Sequence, residues 1–393
     1  MKILWLASWY PNKISPLEGD FVQRHARAVS KFADISVIYV EQHGETIAIP
    51  QTGREEILNE GVRELRIYFK FPRTGIKILD KFFYNWKYYK TYRSVIRAYF
   101  DKNGVPDLVH VHVPMKAGVI AKWIKKKWGI PYLVSEHSAT YVPGPSDTFE
   151  NRSAWFRKNV RSVFRNAIAV TSVSRHDSNI IQKLFALKPV SVIHNVVNTN
   201  YFFYKPGTMP VKFRFVHISV MSYQKNTAGI LNACAKLKNI RQDWELELIG
   251  NGDNAMQQYI DDLGLAGFVY LKGELSYAAV AQHMLQASAL VMFSRYENFP
   301  CVIIEALCCG LPVVATDVAG IPEAVDQSNG ILVKSENEDQ LLGAMLDMMD
   351  KYASFDKQMI AEDAVKKYNY DEIGKQFNKI YRTVITDTTQ PLS

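Results

Sequence analysis

Cysteine is scarce and confined to the second half of the chain: the four thiols are Cys234, Cys301, Cys308 and Cys309, and no two stand at zinc-ligand or redox spacing. A disulfide framework and a zinc ribbon are thereby excluded, and the usage fits the reducing cytoplasm. Long hydrophobic runs are missing too. The first, Ile3 to Tyr10, follows a single Lys and stops at Pro11, which predicts a buried first strand in place of a signal peptide. No later run reaches the roughly 18 apolar residues of a spanning helix, so membrane contact is expected to be peripheral, at the inner face. No Gly-x-Gly-x-x-Gly follows the first strand, which argues against a dinucleotide-dependent oxidoreductase. Repeats, low-complexity runs and heptads are absent as well.

Acid is sparse in the N-terminal half. Residues 1–200 hold 30 Lys and Arg against 16 Asp and Glu, and residues 201–393 hold 17 against 23, so the net charge of +8 divides into +14 and −6. Such asymmetry fits a half that faces an anionic lipid surface or a phosphorylated acceptor, or an ordinary solvated basic surface. Nucleic acid is not expected as a partner, because no recognition motif accompanies the charge. The basic residues concentrate at Lys70 to Phe100, which has eight Lys or Arg, one acid and ten aromatics. A basic helix with an aromatic face suits anionic lipid, whereas aromatics packed inward would leave only the cations solvated. Lys122 to Trp128 could extend the patch.

What is present is a regular alternation. At 393 residues, 48% hydrophobic and 22% charged, the chain suits two globular domains. Short apolar runs alternate with amphipathic segments, which predicts parallel strands with crossover helices, an α/β fold. Strands are expected at Lys2 to Ser8, Ile35 to Val40, Glu64 to Phe69, Leu108 to Val111, Tyr132 to Ser135, Ala167 to Thr171 and Ser191 to Ile193. The series restarts after the polar Asn195 to Gly207, at Phe213 to Ile218, Trp244 to Ile249, Val269 to Leu271, Leu290 to Phe293, Pro312 to Ala315 and Ile331 to Val333. The expected divisions are residues 1–200 and 201–370, two domains, and 371–393, a final helix and tail. Apolar spacing at Ile373, Phe377, Ile380, Tyr381 and Val384 gives that helix one buried face. Two doubly wound domains bind ligands outside the carboxyl ends of their strands, which places a cleft between them.

The most informative stretch runs from Ser294 to Asp317, with Glu297 in a turn after a strand, Pro300 at a helix start, Glu305 within the helix, then Ala306 and Gly310-Leu311-Pro312-Val313. Backbone amides of Asn298 and Phe299 at a helix N-terminus suit a phosphate or sugar hydroxyl, and a carboxylate in such a crevice suits a ribose diol. This block resembles the family 4 (group 1) retaining glycosyltransferases of the GT-B fold, whose pattern is Glu, seven residues, Glu, Ala, then Gly-x-Pro-Val; Gly320-Ile-Pro-Glu323 also matches. The resemblance implies that Glu297, Asn298 and Phe299 meet the donor sugar of a nucleoside-diphosphate sugar and that Glu305 binds its ribose. It implies that Lys225 neutralises the diphosphate, without metal or cofactor; no Asp-x-Asp stands between strands, which agrees. The arginine that the family carries about five residues before that lysine is replaced by Val220 and Met221. Arg295 is one substitute. The glycines of Ile249-Gly250-Asn251-Gly252-Asp253 resemble the family's strand-to-helix turn, and Lys272 and Gly273 stand where relatives read the nucleobase through the main chain, or form a plain loop.

In the first half, Gly19 precedes a helix expected to begin near Phe21 and resembles the family's glycine loop; the alternative is a simple helix start capped by Asp20. His137 follows the fifth expected strand, where relatives contact the transferred sugar, and His110 and His112 share one strand face as core or supporting residues. The resemblance implies transfer to a glycan or lipid-linked acceptor with retained configuration, in polysaccharide assembly, with residues 1–200 as the acceptor-binding domain and 201–370 as the nucleotide-sugar-binding domain. A nucleotide-sugar epimerase, a phosphorylase or a non-catalytic partner subunit on the same fold are the alternatives.

Overall fold

The computed structural model describes residues 1–43, 53–141, 148–207 and 211–389. Strands β1 (Lys2–Ala7), β2 (Asp34–Gln42), β3 (Arg54–Asn59), β4 (Val62–Phe69), β5 (Leu108–His112), β6 (Tyr132–Glu136), β7 (Ala169–Ser172) and β8 (Ser191–Val192) form one sheet in the order β3-β4-β2-β1-β5-β6-β7-β8. Strands β9 (Phe213–Ile218), β10 (Trp244–Ile249), β11 (Val269–Gly273), β12 (Ala289–Met292), β13 (Val313–Thr316) and β14 (Gly330–Val333) form a second, ordered β11-β10-β9-β12-β13-β14. Every pairing is parallel except β3 with β4. Each sheet carries an apolar cluster on both faces, as two Rossmann-like layers require. Strand order reverses between β1 and β5 and between β9 and β12, and the loops leaving those strands carry Gly19, Lys225 and Glu297.

The sequence reading omits β3. Its residues, Arg-Glu-Glu-Ile-Leu-Asn, alternate exposed and half-buried along a sheet edge, so no apolar run marks them. A two-residue turn at Glu60 and Gly61, both at positive φ, joins it to β4.

The last helix, Tyr370–Thr389, returns to the N-terminal domain, where Ile373, Phe377, Tyr381 and Val384 join the core of Trp5, Tyr10 and Val22. Gly374 permits the approach: a Cβ there would lie 2.3 Å from the Ala28 carbonyl oxygen. Among the described residues no helix is long and apolar enough to cross a membrane.

The Lys70 to Phe100 segment divides between two faces of the helix Lys77–Asn103. Tyr88, Tyr92, Ile96 and Phe100 are buried at helical spacing, whereas Ile78, Phe82 and Trp86 are exposed. In Lys122 to Trp128 the lysines Lys125, Lys126 and Lys127 are exposed and the aromatics are partly buried. Trp123 and Trp128 pack against the core, and the Arg93 and Arg97 guanidinium groups lie 5.4 and 5.6 Å from the Trp123 ring centre.

Candidate active site

Glu297 sits in the turn between β12 and the helix Cys301–Cys308 and is nearly buried. Its Oε1 accepts from the Lys225 ammonium and, at 3.1 Å, from Ser294 Oγ. Ser294 is itself fixed, because its carbonyl accepts from Thr316 Oγ1 at 2.8 Å. A carboxylate with two donors on one oxygen holds its orientation and keeps lone pairs for hydroxyls. Lys225 therefore faces Glu297 in this structure, not an open phosphate position. Pro300 caps the following helix through backbone geometry without a side-chain bond.

Asn298 spans the cleft. Its Oδ1 accepts from Ser174 Oγ at 2.7 Å, and its Nδ2 lies 3.4 Å from the carbonyls of His137 and Ser138. Phe299 stacks on His194 at 4.3 Å, while Asn195 Nδ2 donates to the Phe299 carbonyl at 2.6 Å. Glu323 completes this seam by accepting from the amides of Arg175 and His176, at the N-terminus of the helix Arg175–Phe185. Three residues of the recognised block thus serve as docking points for the other domain. Asp177, behind Ser174, accepts from Ser172 Oγ, and burial pushes its carboxyl up to about 7.

Gly19 is the N-cap of the helix Asp20–Ser30 at φ 66°, and a Cβ there would meet the Trp9 backbone at 2.5 Å. Asp20 is the first helical residue and provides no side-chain cap, which removes the alternative of Asp20 as N-cap. His137 Nε2 lies 3.0 Å from His112 Nδ1, and its ring packs on Phe21, His25 and His112. The other nitrogen, Nδ1, is buried and has no hydrogen-bond partner among the described residues. Burial first, then neighbouring imidazoles, hold His137, His112 and His110 well below the ordinary histidine range, so all three are neutral. His110 and His112 do share a face: their ring centres are 4.0 Å apart, and His110 bonds Tyr381 and Ser135 at 2.6 and 2.7 Å.

Glu305 lies on the buried face of its helix, and sequence reasoning missed what covers it. Arg24 Nη1 reaches Glu305 Oε1 at 2.5 Å, and Tyr277 OH donates to the same oxygen at 2.9 Å. Arg24 also pairs with Asp20 at 3.0 Å, one helical turn back. Burial opposes the guanidinium's charge, and Asp20 and the groups around it, including Glu305, outweigh that and hold it charged. The available signal was weak: an arginine one helical turn after an acid, on the side of the helix opposite Val22, Ala26 and Val29.

The remaining predicted residues lie on the loop after β10 and at the end of β11, where Lys272 and Gly273 are strand residues and not a plain loop. Gly250, at φ 140°, has no room for a side chain, since a Cβ would lie 1.8 Å from the Ser219 carbonyl oxygen. Gly252 packs against Leu271 and Met221, whereas the Cβ position of Gly273 faces open space. Lys272 pairs with Glu247 at 3.2 Å. Arg295 does not replace the missing arginine in this arrangement: its Nε bonds Glu336 at 2.9 Å and its guanidinium covers the Tyr223 ring.

A two-domain architecture with paired carboxylates at the carboxyl ends of facing sheets defines a nucleotide-sugar enzyme class, and comparison with known proteins agrees. Residues 40–201 match the model for "Glycosyltransferase Family 4", and residues 205–367 match "Glycosyl transferases group 1". The chain is 22% identical to a putative teichuronic acid biosynthesis glycosyltransferase of Bacillus subtilis, with 96% of this chain and 95% of the relative covered. Among solved structures it resembles sucrose-phosphate synthase from Thermosynechococcus elongatus, TM-score 0.79 at 17% identity, over 98% of this chain and 100% of the other. It also resembles Anabaena HepE in complex with UDP, TM-score 0.73 at 19% identity, over 98% and 100%. The chain belongs to the family 4 (group 1) glycosyltransferases of the GT-B fold, enzymes that move a sugar from a nucleotide-sugar donor.

Proposed function

We propose that the chain transfers a sugar from a nucleoside-diphosphate sugar to a glycan or lipid-linked acceptor, with retention of configuration and without a metal. The observation that carries this reading is the Glu297 turn, which presents a carboxylate, the Lys225 ammonium and a helix N-terminus at one strand end, opposite His137. In this reading Glu297 and the backbone of Asn298 and Phe299 hold the sugar, and Glu305 holds the ribose. Gly250, Gly252, Lys272 and Gly273 border the nucleotide, and Gly19 lets backbone approach the phosphate. His137 accepts or donates to a sugar hydroxyl through its unpaired Nδ1. As the anomeric bond breaks, Lys225 stabilises the charge that develops on the leaving diphosphate, and the acceptor hydroxyl attacks from the same face. Closure of the domains excludes water, whose attack would waste the donor.

The acceptor side is supported by a cavity of about 410 Å³ at the ends of β1, β2, β5 and β6, whose walls include Tyr84, Lys116 and Trp155. The helix that supplies Tyr84 presents Ile78, Phe82 and Trp86 outward beside Lys77, Lys81 and Lys90. That face suits an anionic lipid surface, which would bring a lipid-linked acceptor to the cavity at the cytoplasmic side of a membrane. The test offers nucleoside-diphosphate sugars with acceptors in vesicles that contain or lack anionic lipid, and reads the product anomer by NMR. The expected product keeps the donor's configuration, EDTA leaves the rate unchanged, and the protein sediments with anionic vesicles unless Phe82 and Trp86 are changed to Ser. An inverted product or loss of activity in EDTA would refute the mechanism, and equal sedimentation of the Ser variant would refute the membrane face.

A further inference from the structure

Two facts about the donor side stand unreconciled. The carboxylate read as the ribose site, Glu305, is covered by an arginine from the other domain, and the position of the second phosphate cation is taken by Val220, which is apolar and exposed. Arg24 bears on both. It lies five residues after Gly19, on the helix whose start approaches the end of β1. Its side chain is only 6% exposed, yet it is tied by hydrogen bonds to groups in both domains: Asp20 and the Val196 carbonyl on one side, Glu305 and Tyr277 on the other. Its Nε is buried and has no partner among the described residues, which leaves the guanidinium a donor for a ligand.

We propose that Arg24 senses and then holds the donor: a ribose diol takes Glu305, and the displaced guanidinium turns about Asp20 onto the diphosphate, supplying from the N-terminal domain the second cation. This rests on the donor-site reading above. In the exchange Arg24 keeps a charged partner throughout, and Glu305 trades a guanidinium donor for hydroxyl donors, so neither group is left without hydrogen bonds. Glu305 keeps Tyr277 and gains two hydroxyl donors, while the planar fork of Arg24 meets phosphate oxygens in the bidentate geometry that guanidinium favours. A direct bridge between domains becomes a bridge through the donor, so bound donor would favour the closed arrangement. Arg24 acts here as a phosphate ligand for the leaving group, and Asp20 as its pivot.

The test compares the full-length parent with Arg24→Ala and Arg24→Lys by calorimetry, using UDP, GDP and ADP alongside uridine, guanosine and adenosine. For the base that the parent binds, Arg24→Ala should weaken the diphosphate by about 10- to 100-fold, the scale of a charge-assisted hydrogen bond. Affinity for the nucleoside should hold or rise, because Glu305 is uncovered, and Arg24→Lys should recover part of the diphosphate affinity. Circular dichroism of both variants checks the fold, and the Lys variant carries the test if the Ala variant unfolds. Equal losses for nucleoside and diphosphate, or a tighter diphosphate in the Ala variant, would overturn the proposal while leaving the donor site in place. A parent that binds none of the six would instead overturn the donor-site reading, and this proposal with it.

Discussion

Glu297→Gln should lower the turnover number by about 10- to 150-fold, the effect of losing about 1.5–3 kcal/mol of charge-assisted hydrogen bonding in the transition state. The substitution keeps the shape of the turn and the bond from Ser294 Oγ, so a collapsed loop is not the expected cause. What it removes is the negative charge that holds sugar hydroxyls and the Lys225 ammonium. Affinity for the nucleoside diphosphate should change far less than the rate, because the proposed ribose carboxylate, Glu305, is separate. Lys225→Met should also slow turnover, and the double variant should cost less than the sum of the two, since the pair shares one interaction. Steady-state kinetics with a saturating donor measures all three. An unchanged turnover number in Glu297→Gln would remove this residue from the chemistry.

Stability should fall steeply as pH drops from about 6.5 towards 4.5. His25 and His217 are pushed down to about 4 by burial, and His110, His112, His137 and His194 are also lowered by burial. A histidine whose folded pKa is depressed stays neutral while its unfolded counterpart takes up a proton below about 6.5, so acid favours unfolding. Raised carboxyls act the other way. Asp177, pushed up to about 7 by burial, and Glu136, Glu305 and Glu18, also raised by burial, offset part of that effect. The lowered imidazoles, six in number, outweigh the four raised carboxyls, so unfolding should take up protons on balance. Each proton taken up in excess tilts the stability by about 1.4 kcal/mol per pH unit. Urea unfolding at pH 7.5 and 5.5 measures it, and His110→Gln should flatten the slope. A flat or rising stability on acidification would contradict the account.

The fold was legible where burial wrote it into the sequence. β1 and β12 are near-continuous apolar runs because both faces are covered, and the Glu297 to Glu305 block names its own family. β3 was not legible, because an edge strand with alternating charges satisfies its environment without an apolar signature. The site was legible one domain at a time. Lys225, Glu297 and His137 occupy strand ends that topology alone brings to the cleft, but their partners come from remote parts of the chain. Arg24 and Glu305 are 281 residues apart, and Ser174 and Asn298 are 124 apart. No periodicity or local spacing encodes such pairs. The same holds for the helix Tyr370–Thr389: its apolar face was plain in the sequence, whereas its hydrogen bond from Tyr381 to His110 required the folded chain.

The central claim is a nucleoside-diphosphate site centred on Glu305 and Glu297, and ligand-induced stabilisation of the full chain tests it most directly. One of UDP, GDP and ADP, raised to about a hundred times its dissociation constant, should add about 2.7 kcal/mol to the unfolding free energy. Glu305→Ala should abolish that increment. No stabilisation by any of the three, or an increment unchanged in Glu305→Ala, would contradict the account.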